Sequence, residues 1–337
     1  MSSALSELLS ARPWLLADGA TGTNFFAMGL QAGDPPEMWN LDAPENVHAL
    51  HRGFVEAGSD IILTNSFGAN RRRLMLHNNQ DQAFEVNKAA AEIARAEADA
   101  VERPVLVAGS MGPTGDILEP VGELTHAEAV EVFTEQAAGL KAGGADLLWI
   151  ETLSSQEEAA AAVEGAATAD LPIAITLSFD TAGRTMMGIS PSDWPGIATS
   201  LPASVAAIGA NCGVGASELV ATVLNITKSA ETDTVVISKA NAGIPEFKDG
   251  AICYNGTPEL MADYARLAAD SGARIIGGCC GTSATHIAAM RAALDAHKRG
   301  ETPSIDTVIA RLGEVSDLAR GIDKAAEGGG RKRRRRA

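Results

Sequence analysis

Aromatic residues are scarce in this chain of 337, with four Trp, two Tyr and eight Phe. A pocket that recognises its ligand through several ring faces has few candidates to draw on. Cysteine is scarce as well, at four. So few in so long a chain exclude a disulfide scaffold, and where they are grouped they point to a metal or to catalysis. No apolar stretch approaches the ~20 residues that a membrane-spanning helix needs. Residues Met1 to Arg12 have neither the basic start nor the apolar core of a secretory signal, so a cytoplasmic location is expected.

Basic residues are in deficit, 27 against 43 acids for a net charge of −16, and they are unevenly placed. Six lie in Arg331-Lys-Arg-Arg-Arg-Arg336, after Gly328-Gly-Gly330. Without those six, 21 bases face 43 acids and the body carries −22. Such a body repels nucleic acid, and no nucleic-acid partner is expected. The basic run reads as a solvated tail.

What the chain has in quantity is hydrophobic sequence, 46% of it, arranged in eight runs at fairly regular intervals. They are Trp14–Asp18, Asp60–Phe67, Pro104–Ser110, Asp146–Thr152, Ile173–Phe179, Val205–Asn211, Val235–Ala240 and Arg274–Cys279. Alanine-rich amphipathic stretches lie between them, over Pro44–Ala57, Gln80–Ala100, Thr125–Gly143, Gln156–Thr168, Ser217–Thr227 and Thr257–Gly272, with Thr125, Ser155 and Thr257 placed as N-caps. Continuous Ile/Val/Leu runs suit strands buried on both faces, and eight βα repeats predict a (β/α)8 TIM barrel rather than a doubly wound open sheet. The barrel is expected over residues 1–300. Residues 301–337 are expected to hold a C-terminal helix, Ile305–Ile322, and a disordered basic tail. That helix would pack on the barrel or on a neighbouring subunit, which leaves a homo-oligomer open.

In such a barrel the C-terminal strand ends share one mouth. Asp18, Asn65, Ser110, Glu151, Asn211, Cys212, Cys279 and Cys280 all fall at or just beyond predicted strand ends. No His-x-His pair or His/Asp cluster does, which speaks against a metal-dependent hydrolase. The glycine-rich Asp18–Thr23 stretch lacks the Gly-Lys-Ser/Thr ending of a phosphate loop and reads as a tight turn.

The cysteines carry the strongest signal. Adjacent Cys279 and Cys280 cannot readily bridge each other, and Cys212 lies 67 positions upstream in Gly209-Ala-Asn-Cys-Gly213. Three thiolates converging on zinc leave one tetrahedral position open, as in catalytic rather than structural sites. Zinc made electron-rich by three thiolates is a poor activator of water and suits another task, keeping an incoming thiol deprotonated. Cys253 has no partner cysteine nearby and reads as a bystander. His48 and His51, three apart on a predicted helix, read as surface residues rather than ligands.

Asp18-Gly-Ala-Thr-Gly-Thr23, Thr64-Asn-Ser-Phe67, Gly109-Ser-Met-Gly-Pro113, Trp149-Ile-Glu-Thr152, Gly209-Ala-Asn-Cys-Gly213 and Gly277-Gly-Cys-Cys-Gly281 together resemble the motif series of zinc-dependent homocysteine S-methyltransferases. The resemblance runs in order over about residues 12–297. It implies a (β/α)8 barrel in which Cys212, Cys279 and Cys280 hold Zn2+ and homocysteine sulfur completes the tetrahedron. It further implies Asp18 and Glu151 on the substrate ammonium with the Gly19 backbone close by. Asn65, Ser110 and Asn211 would order the mouth or meet the substrate carboxylate, or serve only as caps.

Within the family the resemblance is strongest to bacterial betaine–homocysteine methyltransferases, through Gly33-Asp-Pro-Pro-Glu-Met-Trp-Asn40, Asn70-Arg-Arg-Arg-Leu-Met-Leu-His77 and the stretch from Ser178 to Gly188. It implies a small cationic onium donor, glycine betaine first. A sulfonium such as dimethylsulfoniopropionate or S-methylmethionine, or a corrinoid-linked partner, is the alternative. Aromatic faces suit such cations, and Phe25, Phe26, Trp39, Phe67, Trp149 and Trp194 are the candidates. Arg71, Arg72 and Arg73 follow the second-strand motif near the mouth and read either as partners for a donor carboxylate or as a solvated helix start. Where animal betaine enzymes carry a tyrosine directly after the second-strand Phe, this chain has Gly68.

Overall fold

The computed structural model describes residues 3–320 except 249–250, with only backbone pairing described for 245–253. Among these residues eight parallel strands form one sheet in the order β1-β10-β7-β6-β5-β4-β3-β2. They are β1 (Leu15–Leu16), β2 (Ile61–Leu63), β3 (Leu106–Met111), β4 (Leu147–Leu153), β5 (Ile173–Leu177), β6 (Ala207–Cys212), β7 (Val236–Ala240) and β10 (Ile275–Gly278). A parallel bridge between Ala17 and Ile61 joins the two ends and closes the barrel, so the expected (β/α)8 TIM barrel is what the chain forms. An antiparallel hairpin, β8 (Pro245–Lys248) with β9 (Ala251–Tyr254), follows β7 and was not foreseen from the sequence.

Side-chain alternation along each strand sorts two cores. Leu15, Ala17, Ile61, Leu63, Leu106, Ala108, Leu147, Trp149, Ala174, Ala207, Ile237 and Ile275 pack together inside the barrel. Leu16, Ile62, Val107, Leu148, Ile150, Ile175, Ile208, Val236 and Ile276 face the helices instead. The runs looked continuous because both faces are buried. A helix over Ala4–Ala11, capped by Ser3, presses Leu5 against the barrel interior core.

The expected helices are found at Pro44–Glu56, Ala83–Asp99, His126–Ala142, Gln156–Ala167, Ala216–Ser229 and Pro258–Asp270. Thr125, Ser155 and Thr257 cap theirs through side-chain oxygens. The terminal helix is shorter than expected: it spans Ile305–Leu312 and ends at Gly313, whose φ of 103° is costly for a residue with a side chain. It packs on the Ala216–Ser229 and Pro258–Asp270 helices with Val308 and Leu312 buried. Val315 and Ala319 continue the buried path beyond it. The basic run 331–336 lies outside the described residues. No described helix is long and apolar enough to cross a membrane.

Candidate active site

The inward register that places Leu106, Ala108, Leu147, Trp149 and Ile237 in the barrel core continues to the mouth. Two residues further along each strand it reaches Ser110, Glu151 and Lys239, and on the neighbouring strands Asn65, Asn211 and Cys279. A cavity of about 330 Å3 opens there, lined among others by Gly19, Asn65, Ser110, Glu151, Cys212, Lys239, Cys279 and Cys280. Most of the residues singled out from the sequence therefore meet in one place.

The three cysteines converge as expected. The Cys212 and Cys280 sulfurs lie 4.0 Å apart, and all three sulfurs lie within 4.8 Å of one another. Four sulfurs at about 2.3 Å around a tetrahedral ion sit about 3.8 Å apart, so the cluster fits a metal ion with soft-ligand preference. Cys212 adopts a φ of 62°, and Gly213 follows at 69°, a reversal that turns this thiol back over the strand end. Gly281, at φ 78°, packs so tightly on Tyr254 that a Cβ would stand 2.3 Å from its ring. Tyr254 stands close enough to the Cys280 sulfur that each influences the other's ionisation.

Left to themselves these thiols resist ionisation. Contact with Cys279 lowers the Cys212 pKa, but contact with Cys280, burial and the charge of Cys280 outweigh it and push Cys212 up to about 12. Cys280 is likewise pushed up to about 12, where contact with Cys212 lowers it and Cys279 with burial raises it. Each thiolate would face another thiolate in a dry site. A bound cation reverses that balance.

Glu151 keeps the inward parity of Leu147 and Trp149. The β4–β5 register shifts between Ile150 and Leu153, and Thr152 takes a φ of 64°, a bulge that turns Leu153 to the outer core just beyond it. Asn211 secures it: its Oδ1 accepts from Thr152 N at 3.0 Å, while its Nδ2 donates to Thr152 Oγ1 at 2.7 Å and to Glu151 Oε2 at 3.4 Å. Ser110 Oγ donates to Glu151 Oε1 at 2.5 Å. Burial raises the Glu151 pKa against the opposing pull of Lys239 and Ser110.

Lys239 was not picked out from the sequence. Its signal was there, a lysine in the otherwise apolar run Val235-Val-Ile-Ser-Lys-Ala240, at the inward parity set by Ile237. Its Nζ donates to Asp18 Oδ1 at 2.8 Å and stands 5.6 Å from the centre of the Trp149 ring. Burial pulls its pKa down, but the charges of Asp18, Glu151 and Cys279 outweigh that and hold it above the usual lysine value. Gly277 makes the room, since a Cβ there would lie 3.0 Å from Lys239 Cγ and 2.9 Å from Ala17 Cβ. Asp18 also accepts from Leu63 N at 2.7 Å. Its carboxylate is thus engaged on both oxygens, and Lys239 rather than Asp18 lines the cavity.

The remaining candidates divide. Asn65 donates to Pro36 O at 2.8 Å and to Asn40 Oδ1 at 3.2 Å, tying the loop after β1 to the end of β2. Of the six aromatics, only Phe26 and Phe67 line the cavity. Phe25 and Trp39 meet at a tilt of 51° with ring centres 4.9 Å apart, Trp149 lies in the barrel core and Trp194 is wholly buried in the outer core. Arg71 pairs with Glu135 and Arg72 with Asp116, whereas Arg73 acts electrostatically on Glu37. Glu37 itself, unforeseen, lines the cavity with Gly68 N donating to its Oε1 at 2.7 Å. His51 is not a surface residue but fully buried, while His48 pairs with Glu97. The Cys253 side chain lies outside the described residues.

Fold and site together define a closed parallel barrel with a three-thiol cluster, able to take a metal ion, at its catalytic face. The homocysteine S-methyltransferase family profile matches residues 15–294, and the chain belongs to that family. Methionine synthase of Mycobacterium tuberculosis is 31% identical over 94% of this chain and 28% of its own length. That of Mycobacterium leprae is 30% identical over 93% and 27%. The chain therefore spans little more than a quarter of these curated relatives. The crystal structure of the homocysteine methyltransferase MmuM from Escherichia coli in its metallated form is similar with a TM-score of 0.71, at 25% identity over 86% of this chain and 99% of that one. Its oxidized form gives 0.70 at the same identity and coverage.

Proposed function

We propose that this protein transfers a methyl group from a cationic onium donor, glycine betaine first, to the sulfur of L-homocysteine, giving L-methionine and dimethylglycine. The carrying observation is the convergence of Cys212, Cys279 and Cys280 with Glu151 and Lys239 on one cavity, in a chain of this family. The three thiols would hold zinc, which when bound supplies a position where a fourth thiol stays deprotonated at neutral pH.

An amino-acid substrate carries one charge of each sign, and the cavity floor offers one of each. Glu151, steadied by Ser110 and Asn211, meets the ammonium. Lys239, held by Asp18, meets the carboxylate, so Asp18 serves at one remove. Gly19, which has no room for a side chain beside Phe54 and Thr282, lends its backbone to the wall. In the transfer the homocysteine thiolate forms a bond to the methyl carbon as the carbon–nitrogen bond breaks, its electron pair staying on nitrogen. No proton moves in that step. Holding the two substrates in line supplies much of the acceleration.

A sulfonium donor, dimethylsulfoniopropionate or S-methylmethionine, is met by the same geometry. A second reading, a component that takes its methyl group through a corrinoid partner, gains from the partial coverage of the methionine synthases. The test is zinc-loaded protein with homocysteine and each of betaine, dimethylsulfoniopropionate and S-methylmethionine, followed by detection of methionine. Methionine from at least one donor is expected. No turnover with any of them sinks the free-standing reading in favour of the partner-dependent one.

A further inference from the structure

We propose that Glu37 is the counter-charge that binds the onium group of the methyl donor. This rests on the methyltransferase reading above and deepens it, because it assigns the half of the site that the cysteines and Glu151 leave unassigned.

The cavity lining contains three charged side chains, Glu37, Glu151 and Lys239. Lys239 is matched by Asp18, which lies outside the lining. The homocysteine ammonium meets Glu151 and its carboxylate meets Lys239, so neither end of the amino acid engages Glu37. Among the described residues Glu37 has no cationic side chain beside it in the cavity lining, and the onium end of the donor carries a positive charge.

The position of Glu37 fits that task. Its carboxylate reaches Gly68, in the loop after β2, and β2 lies four strands from β6 in an eight-stranded ring, so this wall stands across the mouth from Cys212. A methyl group between the two would have its onium centre on the Glu37 side and the accepting sulfur on the other. Phe26 and Phe67 line the same cavity, giving ring faces to a cation that carries its charge among methyl groups.

The placement is built rather than incidental. Pro36 to Met38 form a single turn, and Asn65 holds that turn through Pro36 O while Asn40 Nδ2 donates back to Asn65 O at 2.7 Å. Gly68 is needed for it: a Cβ there would stand 2.7 Å from Glu37 Oε1. The absence of a side chain after Phe67 therefore has a counterpart, a carboxylate occupying the space. Burial raises the Glu37 pKa, while backbone donors, its own N–H and that of Gly68, and then the charges of Arg73 and His77 pull it down. A dry carboxylate held mainly by backbone donors gains from an arriving cation more than a solvated one does.

Glu37→Gln keeps the acceptor for Gly68 N and removes only the charge. Binding is measured by calorimetry in the zinc-loaded protein with homocysteine present. The two probes are glycine betaine and 3,3-dimethylbutyrate, which has carbon in place of the quaternary nitrogen. The variant is expected to weaken betaine by about tenfold or more, the scale of losing one partner of a buried charge pair, and to leave 3,3-dimethylbutyrate and homocysteine affinity within about twofold, below 0.5 kcal/mol. Equal weakening of both probes, or betaine binding unchanged, overturns the proposal. If wild type binds betaine and the variant loses it selectively but neither makes methionine, the charge assignment stands and the methyltransferase reading falls.

Discussion

The Lys239 ammonium lies 2.8 Å from the Asp18 carboxylate at the centre of the barrel mouth, with 3% and 1% of the two side chains exposed. A lone lysine or aspartate at that depth would be prohibitively unstable; together they form a neutral unit that shapes one wall of the cavity. The pair accounts for an Asp18 carboxylate engaged by Lys239 and Leu63 N and lying just behind the cavity lining.

Lys239→Met should destabilise the protein more than the double change Asp18→Asn with Lys239→Met. Removing one partner strands a buried charge and costs about 3–5 kcal/mol, whereas removing both leaves a neutral site that can pack. Urea unfolding of the three proteins measures it. Equal loss in the single and double variants would show that packing, not charge, holds this wall.

Cys279→Ala removes one of three sulfurs that lie within 4.8 Å. Zinc retained after dialysis should fall sharply, and methyl transfer by more than about 100-fold, beyond the range of outer-shell losses at metal sites. Elemental analysis and methionine detection report the two effects separately. Full activity in metal-free Cys279→Ala would remove the proposed role of the cluster.

His51 predicts a pH effect unrelated to the site. It is fully buried, neither ring nitrogen has a hydrogen-bond partner, and burial lowers its pKa from 6.5 to about 4. Between those values the unfolded chain binds a proton that the folded one refuses, so stability rises with pH across this window and is lost as pH falls. The shift corresponds to about 3 kcal/mol by pH 4. His51→Leu should flatten the stability profile between pH 6.5 and 4, as read by denaturant midpoints. A profile as steep as wild type would place the acid sensitivity elsewhere.

The apolar runs placed Ser110, Glu151 and Cys279 at strand ends that share one mouth. Lys239 also ends such a run, but a lysine in a buried run has no sequence-visible partner, and its counter-ion lies 221 positions away. Glu37 was hidden for a related reason: it sits in a short turn without periodicity, and nothing local says that Asn65 and Gly68 fold it over the mouth. The aromatics failed differently. A ring at a strand or loop looks the same in sequence whether it faces the cavity, as Phe67 does, or the core, as Trp149 does.

The repeating strand–helix architecture and the thiol cluster were legible in the residues alone, because burial on both faces demands apolar runs and three grouped cysteines serve few purposes in a long, disulfide-poor chain. Which charges remain free for substrates follows instead from contacts that no local stretch contains. Pairing between Asp18 and Lys239, the Ser110 and Asn211 bonds that hold Glu151 and the glycine that admits Glu37 all depend on contacts across the closed barrel, and electrostatics in a buried site is set by those neighbours rather than by the residue alone.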